Sequence, residues 1–191
     1  TGCVPWSVHA HLATDQLRSL KRDIGLFGRY VYLDVEGKPI SGREDTSGTD
    51  TEPVDKATTA RALTALRVWM TKHTDGRLVL GGQRSGYLGR IPGVIEETLL
   101  SIQAGKPVYI AGGFGGAAAD AVTILGLDPE GWLGLPDRST DQDLLELAAA
   151  AAQAGWESTS NGLTLEQNRQ LAISYRSSEI ASLVVLGLTN L

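Results

Sequence analysis

The sequence predicts an α/β fold: an open, mainly parallel sheet with flanking helices and a helical C-terminal region. Two apolar runs carry the prediction, Arg77-Leu78-Val79-Leu80 and Val108-Tyr109-Ile110-Ala111. Each runs straight into glycines and is followed by a segment of helical period. Parallel strands cannot be joined by a tight turn, so short buried strands alternating with helices read as βα units of a Rossmann-like sheet. Beyond Leu127 the pattern is helical.

Residues 1–13 carry no clear period. Asp15–Leu26 reads as a helix, with Thr14 as its N-cap and Gly25 near its end. The β-branched and aromatic run Tyr30–Val35 reads as a strand, and Glu36-Gly37-Lys38-Pro39 turns the chain. Residues 41–53 are rich in Gly, Ser, Thr and Asp, the composition of a mobile loop. From Val54 to His73, Ala62, Leu63, Leu66, Trp69 and Met70 recur at helical spacing. After the loop GGQRSGYLGRIPG, Pro92 sits in the first turn of a helix Gly93–Ala104, with Val94, Ile95, Leu99 and Ile102 on one side. A small-residue helix, Ala117–Leu125, follows GGFGG. Thr140 caps a helix Asp141–Gln153 whose apolar face is Leu144, Leu145 and Leu147. Asn161-Gly162 turns, Thr164 caps Leu165–Tyr175, and Ser177 or Ser178 caps a last helix to Leu191. Three segments result: 1–53 with a helix, a strand and the polar loop; 54–126 as the Rossmann-like core; and 127–191 as helices that pack on the core or form an oligomer face.

Composition narrows the function. The chain has 191 residues, 42% hydrophobic and 20% charged, with a net charge of −5. An acidic domain is poorly suited to a nucleic-acid backbone. No segment approaches a membrane span. The single cysteine, Cys3, forms no internal disulfide, which fits a cytoplasmic location. His9, His11 and His73 are not spaced as a metal site, and no metal or cofactor is expected. The chain starts at Thr1 rather than Met, which reads as a cut.

The chemistry is expected at the glycine loops. In open α/β sheets, ligands sit outside the carboxyl ends of the strands. Glycines allow close backbone approach, and a helix N-terminus adds partial positive charge. The ligand-binding candidates in the second loop are Gly112, Gly113, Phe114, Gly115 and Gly116; the alternative is a tight strand-to-helix turn. The first loop contributes Gly81, Gly82, Arg84, Arg90 and Gly93. Its arginines offer forked donors suited to phosphate or carboxylate, or are simply solvated. Glu96 and Glu97 open the next helix. They either favour its dipole or accept hydrogen bonds from ribose hydroxyls.

The stretch LVLGGQRSGYLGRIPGVIEETLLSIQAGKPVYIAGGFGGAAADA resembles the SLOG superfamily, and the resemblance covers about residues 54–120. That group holds the lonely-guy (LOG) phosphoribohydrolases, DNA-processing A proteins and bacterial sensor domains fused to TIR or other effectors. In LOG enzymes P-G-G-x-G-T-x-x-E precedes a helix, and the next strand starts K-P-V. Here Pro92-Gly93-Val94-Ile95-Glu96-Glu97 and Lys106-Pro107-Val108 take those places. Glu97 falls where the catalytic glutamate would be, and Arg67 lies about one residue from the place of the catalytic arginine. The G-x-G-T turn is replaced by a longer loop. The family's first βα unit falls before residue 1 or within the N-terminal segment.

The resemblance implies a sensor of a nucleotide or NAD-derived signalling molecule, coupled to a fused or partner effector in antiphage defence. It also implies a homo-oligomer. The alternatives are N-glycosidic hydrolysis of a nucleotide through Glu97 and Arg67, and an oligomerisation module.

Overall fold

The computed structural model describes residues 1–45 and 55–191, so most of the polar loop read at 41–53 lies outside the described residues. The fold is mixed α/β, and the chain divides into two compact units. Unit 1 is residues 1–72 with 88–90; unit 2 is residues 73–87 and 91–191.

Unit 1 begins with strand β1 (Gly2–Val4) and the short helix α1 (Trp6–His9). Helix α2 (Thr14–Ile24) and strand β2 (Tyr30–Leu33) follow. β2 pairs in parallel with β1, Cys3 lying opposite Val31, so residues 2–33 form a βαβ unit whose first strand lies in residues 1–13, which show no sequence period. A three-residue strand and a four-residue helix are too short to show one. Thr14 is not the N-cap of α2: Ala13 is, and its N–H donates to the Gln16 side-chain oxygen at 2.8 Å.

β2 then pairs antiparallel with the two-residue β3 (Pro39–Ile40). The turn between them is tied by the Asp34 carboxylate, which accepts from the N–H groups of Glu36 and Lys38 at 3.0 and 2.8 Å. Gly37, at φ +80°, passes so close to helix α3 (Lys56–His73) that a Cβ there would lie 3.0 Å from the Ala65 carbonyl oxygen. Trp6, Val35 and Ala62 form the apolar centre of the unit. Beside Trp6, the fully buried His9 donates from Nε2 to the Leu33 carbonyl at 2.8 Å and accepts at Nδ1 from Arg43 Nε at 3.2 Å. Both ring nitrogens are therefore used by the protein, which makes His9 a neutral cross-brace.

Unit 2 is built on two parallel strands, β4 (Arg77–Leu80) and β5 (Val108–Ala111), paired Arg77 to Val108 through Leu80 to Ala111. Both strands lie where the sequence places them, but β4 is not the buried strand it reads as: only Val79 is buried, and Leu78 and Leu80 are exposed. Helix α4 (Gly93–Gln103) makes the crossover, and α5 (Gly116–Ile124) follows β5. Buried Ile95, Ile102, Val108, Ile110, Val122 and Leu147 share one core. Helix α6 (Gln142–Gln153) buries Leu144 and Leu147 but leaves Leu145 exposed. Its N-cap is Asp141, not Thr140, and no side chain caps it; the Asp141 carboxylate is bound to Arg138 at 2.6 Å.

Thr164 does cap helix α7 (Leu165–Ile173): its hydroxyl accepts from Gln167 N–H and the Gln167 side chain returns the bond, a reciprocal box. Helix α8 (Ser177–Thr189) is capped by Arg176 rather than by a serine. Its Gly187 lies beside a polar joint between β5 and the turn at Asn161. Buried Tyr109 donates to the Asn161 carbonyl at 2.7 Å, and Asn161 Nδ2 donates to the Val108 carbonyl at 2.8 Å. Gly187 leaves the room for this joint, because a Cβ there would lie 2.6 Å from the Tyr109 ring. Burial pushes the Tyr109 phenol above its ordinary pKa, which keeps it a donor.

Candidate functional site

Both glycine loops leave the carboxyl ends of adjacent parallel strands, where the sequence places them. They pack on each other. Ala118 N–H donates to the Gly81 carbonyl at 2.8 Å, and Ala117 N–H donates to the Gly82 carbonyl at 3.1 Å. Two of the first N–H groups of α5 are thus committed to the neighbouring loop. Gly116 permits this approach: it sits at φ +69°, and a Cβ there would be 2.3 Å from the Gly82 oxygen. The glycines therefore have separate physical reasons. Gly112 and Gly113 lie under the end of α7, where a Cβ would meet Ala172 O at 2.8 Å and Ser174 O at 2.3 Å. Gly82 faces Val94. Gly81 and Gly115 have open space around them, at φ +59° and +74°. Phe114 is exposed at the rim of the second loop.

Arg84 leaves the first loop and turns onto α5. Its Nε donates to Asp120 Oδ2 at 2.9 Å, and its Nη2 donates to Asp120 Oδ1. The hydrogen bond to Asp120 raises the Arg84 pKa above its ordinary value. Asp120 is only 2% exposed and also accepts from Arg138 Nη1 at 2.5 Å. The sequence reading missed Asp120 and Arg138 altogether. No local pattern marks them, since their partners lie 36 and 18 residues away.

Gly93 opens α4, as the sequence suggests, with Pro92 as its N-cap rather than in its first turn. Glu96 is buried, and its N–H closes the first helical turn on the Pro92 carbonyl at 3.0 Å. The Glu97 carboxylate, partly exposed, pairs with Arg77 Nη1 of β4 at 3.5 Å. Arg67 is buried on α3 in unit 1, whereas Glu97 belongs to unit 2. Arg90 also belongs to unit 1, where it lines a groove of about 580 Å³ along α3. Among the described residues, no group of three or more His, Cys, Asp or Glu is placed to hold a metal ion. Nor is any described helix long and apolar enough to cross a membrane.

Glycine-rich turns at the ends of parallel strands are shared by βα folds of many functions and by themselves fix no chemistry. The family comparison is narrower. The family model described as SLOG cluster2 matches residues 1–171, and the chain belongs to that family. Membership points to a nucleotide-related function. No curated protein and no solved structure matched the chain.

Proposed function

We propose that the chain senses a nucleotide or NAD-derived signalling molecule and does not consume it. The βα units are read as those of a Rossmann-like fold. The ligand is placed at the glycine-rich strand ends, with Gly81, Gly115 and Phe114 at the rim and the first turn of α4 at Gly93 offering backbone donors. One observation carries the choice of sensing over hydrolysis: the glutamate in the place of the family's catalytic residue, Glu97, is paired with Arg77. That guanidinium already occupies the carboxylate that a hydrolase would direct at its substrate. The longer loop in place of G-x-G-T supports the same choice.

The sensor passes binding to a fused or partner effector, in the setting of bacterial antiphage defence and in the cytoplasm. It works as a homo-oligomer. The outward side of α8 supports this last point: Val185 and Leu188 are exposed there, and the helix carries no charge after Glu179.

Mass spectrometry of small molecules released by denaturing the purified chain tests the reading. A nucleotide released intact after prolonged incubation is the expected result. Finding only free base, or no nucleotide after exposure to a nucleotide pool, contradicts it.

A further inference from the structure

The groove on unit 1 was not marked by any motif, yet it has the makings of a ligand seat. Helix α3 presents Ala60, Thr64, Ala65 and Val68 to it, residues small enough to leave a hollow of about 580 Å³. That volume falls within the usual range for small-molecule sites. Val35 and Gly37 of the β2–β3 turn and Trp69 of α3 also line it. The turn is rigid, because Asp34 ties it and Gly37 touches the α3 backbone. The groove is thus preformed, and its walls are apolar.

Among the described residues, Arg61, Lys72 and Arg90 line the groove together with the carboxylate Glu36. Glu36 stands 3.9 Å from Arg61, with both side chains largely exposed, a distance at which the pair is weak and yields readily to a better anion. Three cations around an apolar hollow stand out on a chain whose net charge is −5. Such a site suits a molecule with a flat apolar body and a negative group. An indole face takes the flat body, and guanidinium and ammonium groups take the charge.

We infer that this α3 groove is itself a seat for a nucleotide, its base against Trp69 and its phosphate among Arg61, Lys72 and Arg90. The inference shares the ligand class of the proposed function but not the glycine loops, so the two can fail separately.

Calorimetric titration of the purified chain with adenosine 5′-monophosphate tests it, with adenosine and inorganic phosphate as the two halves of the probe. Lys72→Ala and Arg61→Ala remove cations from an exposed helix surface and add a strong helix former, so the fold is kept. Trp69→Phe tests the flat contact, with circular dichroism as a check on folding. The expected result is that each cation variant binds the nucleotide about tenfold more weakly, the scale of one lost charged hydrogen bond. Binding should weaken with salt in the parent and less so in Lys72→Ala. Three results overturn the inference: no binding of the nucleotide by the parent, adenosine binding as tightly as its phosphate, or unchanged affinity in both cation variants. If those variants bind normally while Phe114→Ala in the second glycine loop binds weakly, the ligand sits at the strand ends and only the groove assignment is lost.

Discussion

Arg84, drawn from the first glycine loop, forks onto Asp120, a carboxylate buried on α5. The arginine that the sequence offers to a ligand therefore also anchors its own loop, and Arg138 closes the same carboxylate from the other side.

Asp120→Asn should lower stability by roughly 2 kcal/mol. Removing one partner of a wholly buried pair costs about 3–5 kcal/mol. The two arginines here keep partial access to water, which reduces the loss. Urea denaturation with an unchanged m-value checks this; a change below about 0.5 kcal/mol, the level of an ordinary surface substitution, contradicts the anchoring role.

The two loop arginines should separate by their readouts. Arg84→Ala should lower both stability and the affinity for an anionic ligand, the latter by about 1.5–3 kcal/mol. Arg90→Ala should lower affinity by a similar amount at the α3 groove that it lines. An Arg84→Ala variant that unfolds more easily yet binds as the parent does would show that the Asp120 pair is its whole role.

Gly187→Ala should destabilise by about 1–3 kcal/mol through overpacking against Tyr109. Gly162→Ala should cost more, because its φ is +79° and a Cβ would lie 2.2 Å from the Gly187 carbonyl oxygen. Thermal unfolding of both variants gives the order, and Gly86→Ala serves as reference. Gly86 has φ +70° but open space, so that variant meets only backbone strain, about 1–2 kcal/mol.

Acid should loosen the α7–α8 junction. The Glu179 carboxylate accepts from Ser174 Oγ and Gln170 Nε2, and these bonds, Ser174 first, hold its pKa below the ordinary 4.5. A depressed carboxylate pKa contributes stability above the unfolded value, lost as pH falls through the folded value. Stability of the parent should therefore drop below about pH 4.5, and that drop should be smaller in Glu179→Gln. Parallel pH profiles for the two proteins would contradict the assignment.

How far these residues could be read from sequence depends on the range of the forces that place them. β4 and β5 are legible because each is a short, mainly apolar run that ends at glycines and is followed by a helical segment. Thr164 is legible because its cap partner lies three residues on. β1 is not, since its three residues become a strand only through pairing with Tyr30–Tyr32. Leu145 reads as part of an apolar face with Leu144 and Leu147, but the helix turns it to water. GGFGG reads as a phosphate cradle, yet much of its glycine serves close backbone packing: Gly113 under α7, and Gly116 against Gly82. Both contacts are tertiary and leave no local trace. The α3 groove is equally silent, as its charges come from residues 36, 61, 72 and 90.

The central claim is that the chain binds its nucleotide without breaking it. The most direct test incubates the parent with nucleoside monophosphates and NAD-derived nucleotides, confirms binding by calorimetry in the same preparation, and follows free base by chromatography. The account predicts bound, intact nucleotide and no base above the buffer control, with Glu97→Gln changing affinity alone. Steady base release by the parent that stops in Glu97→Gln and continues in the surface variant Glu130→Gln would contradict it, for Glu97 would then be acting in the transition state.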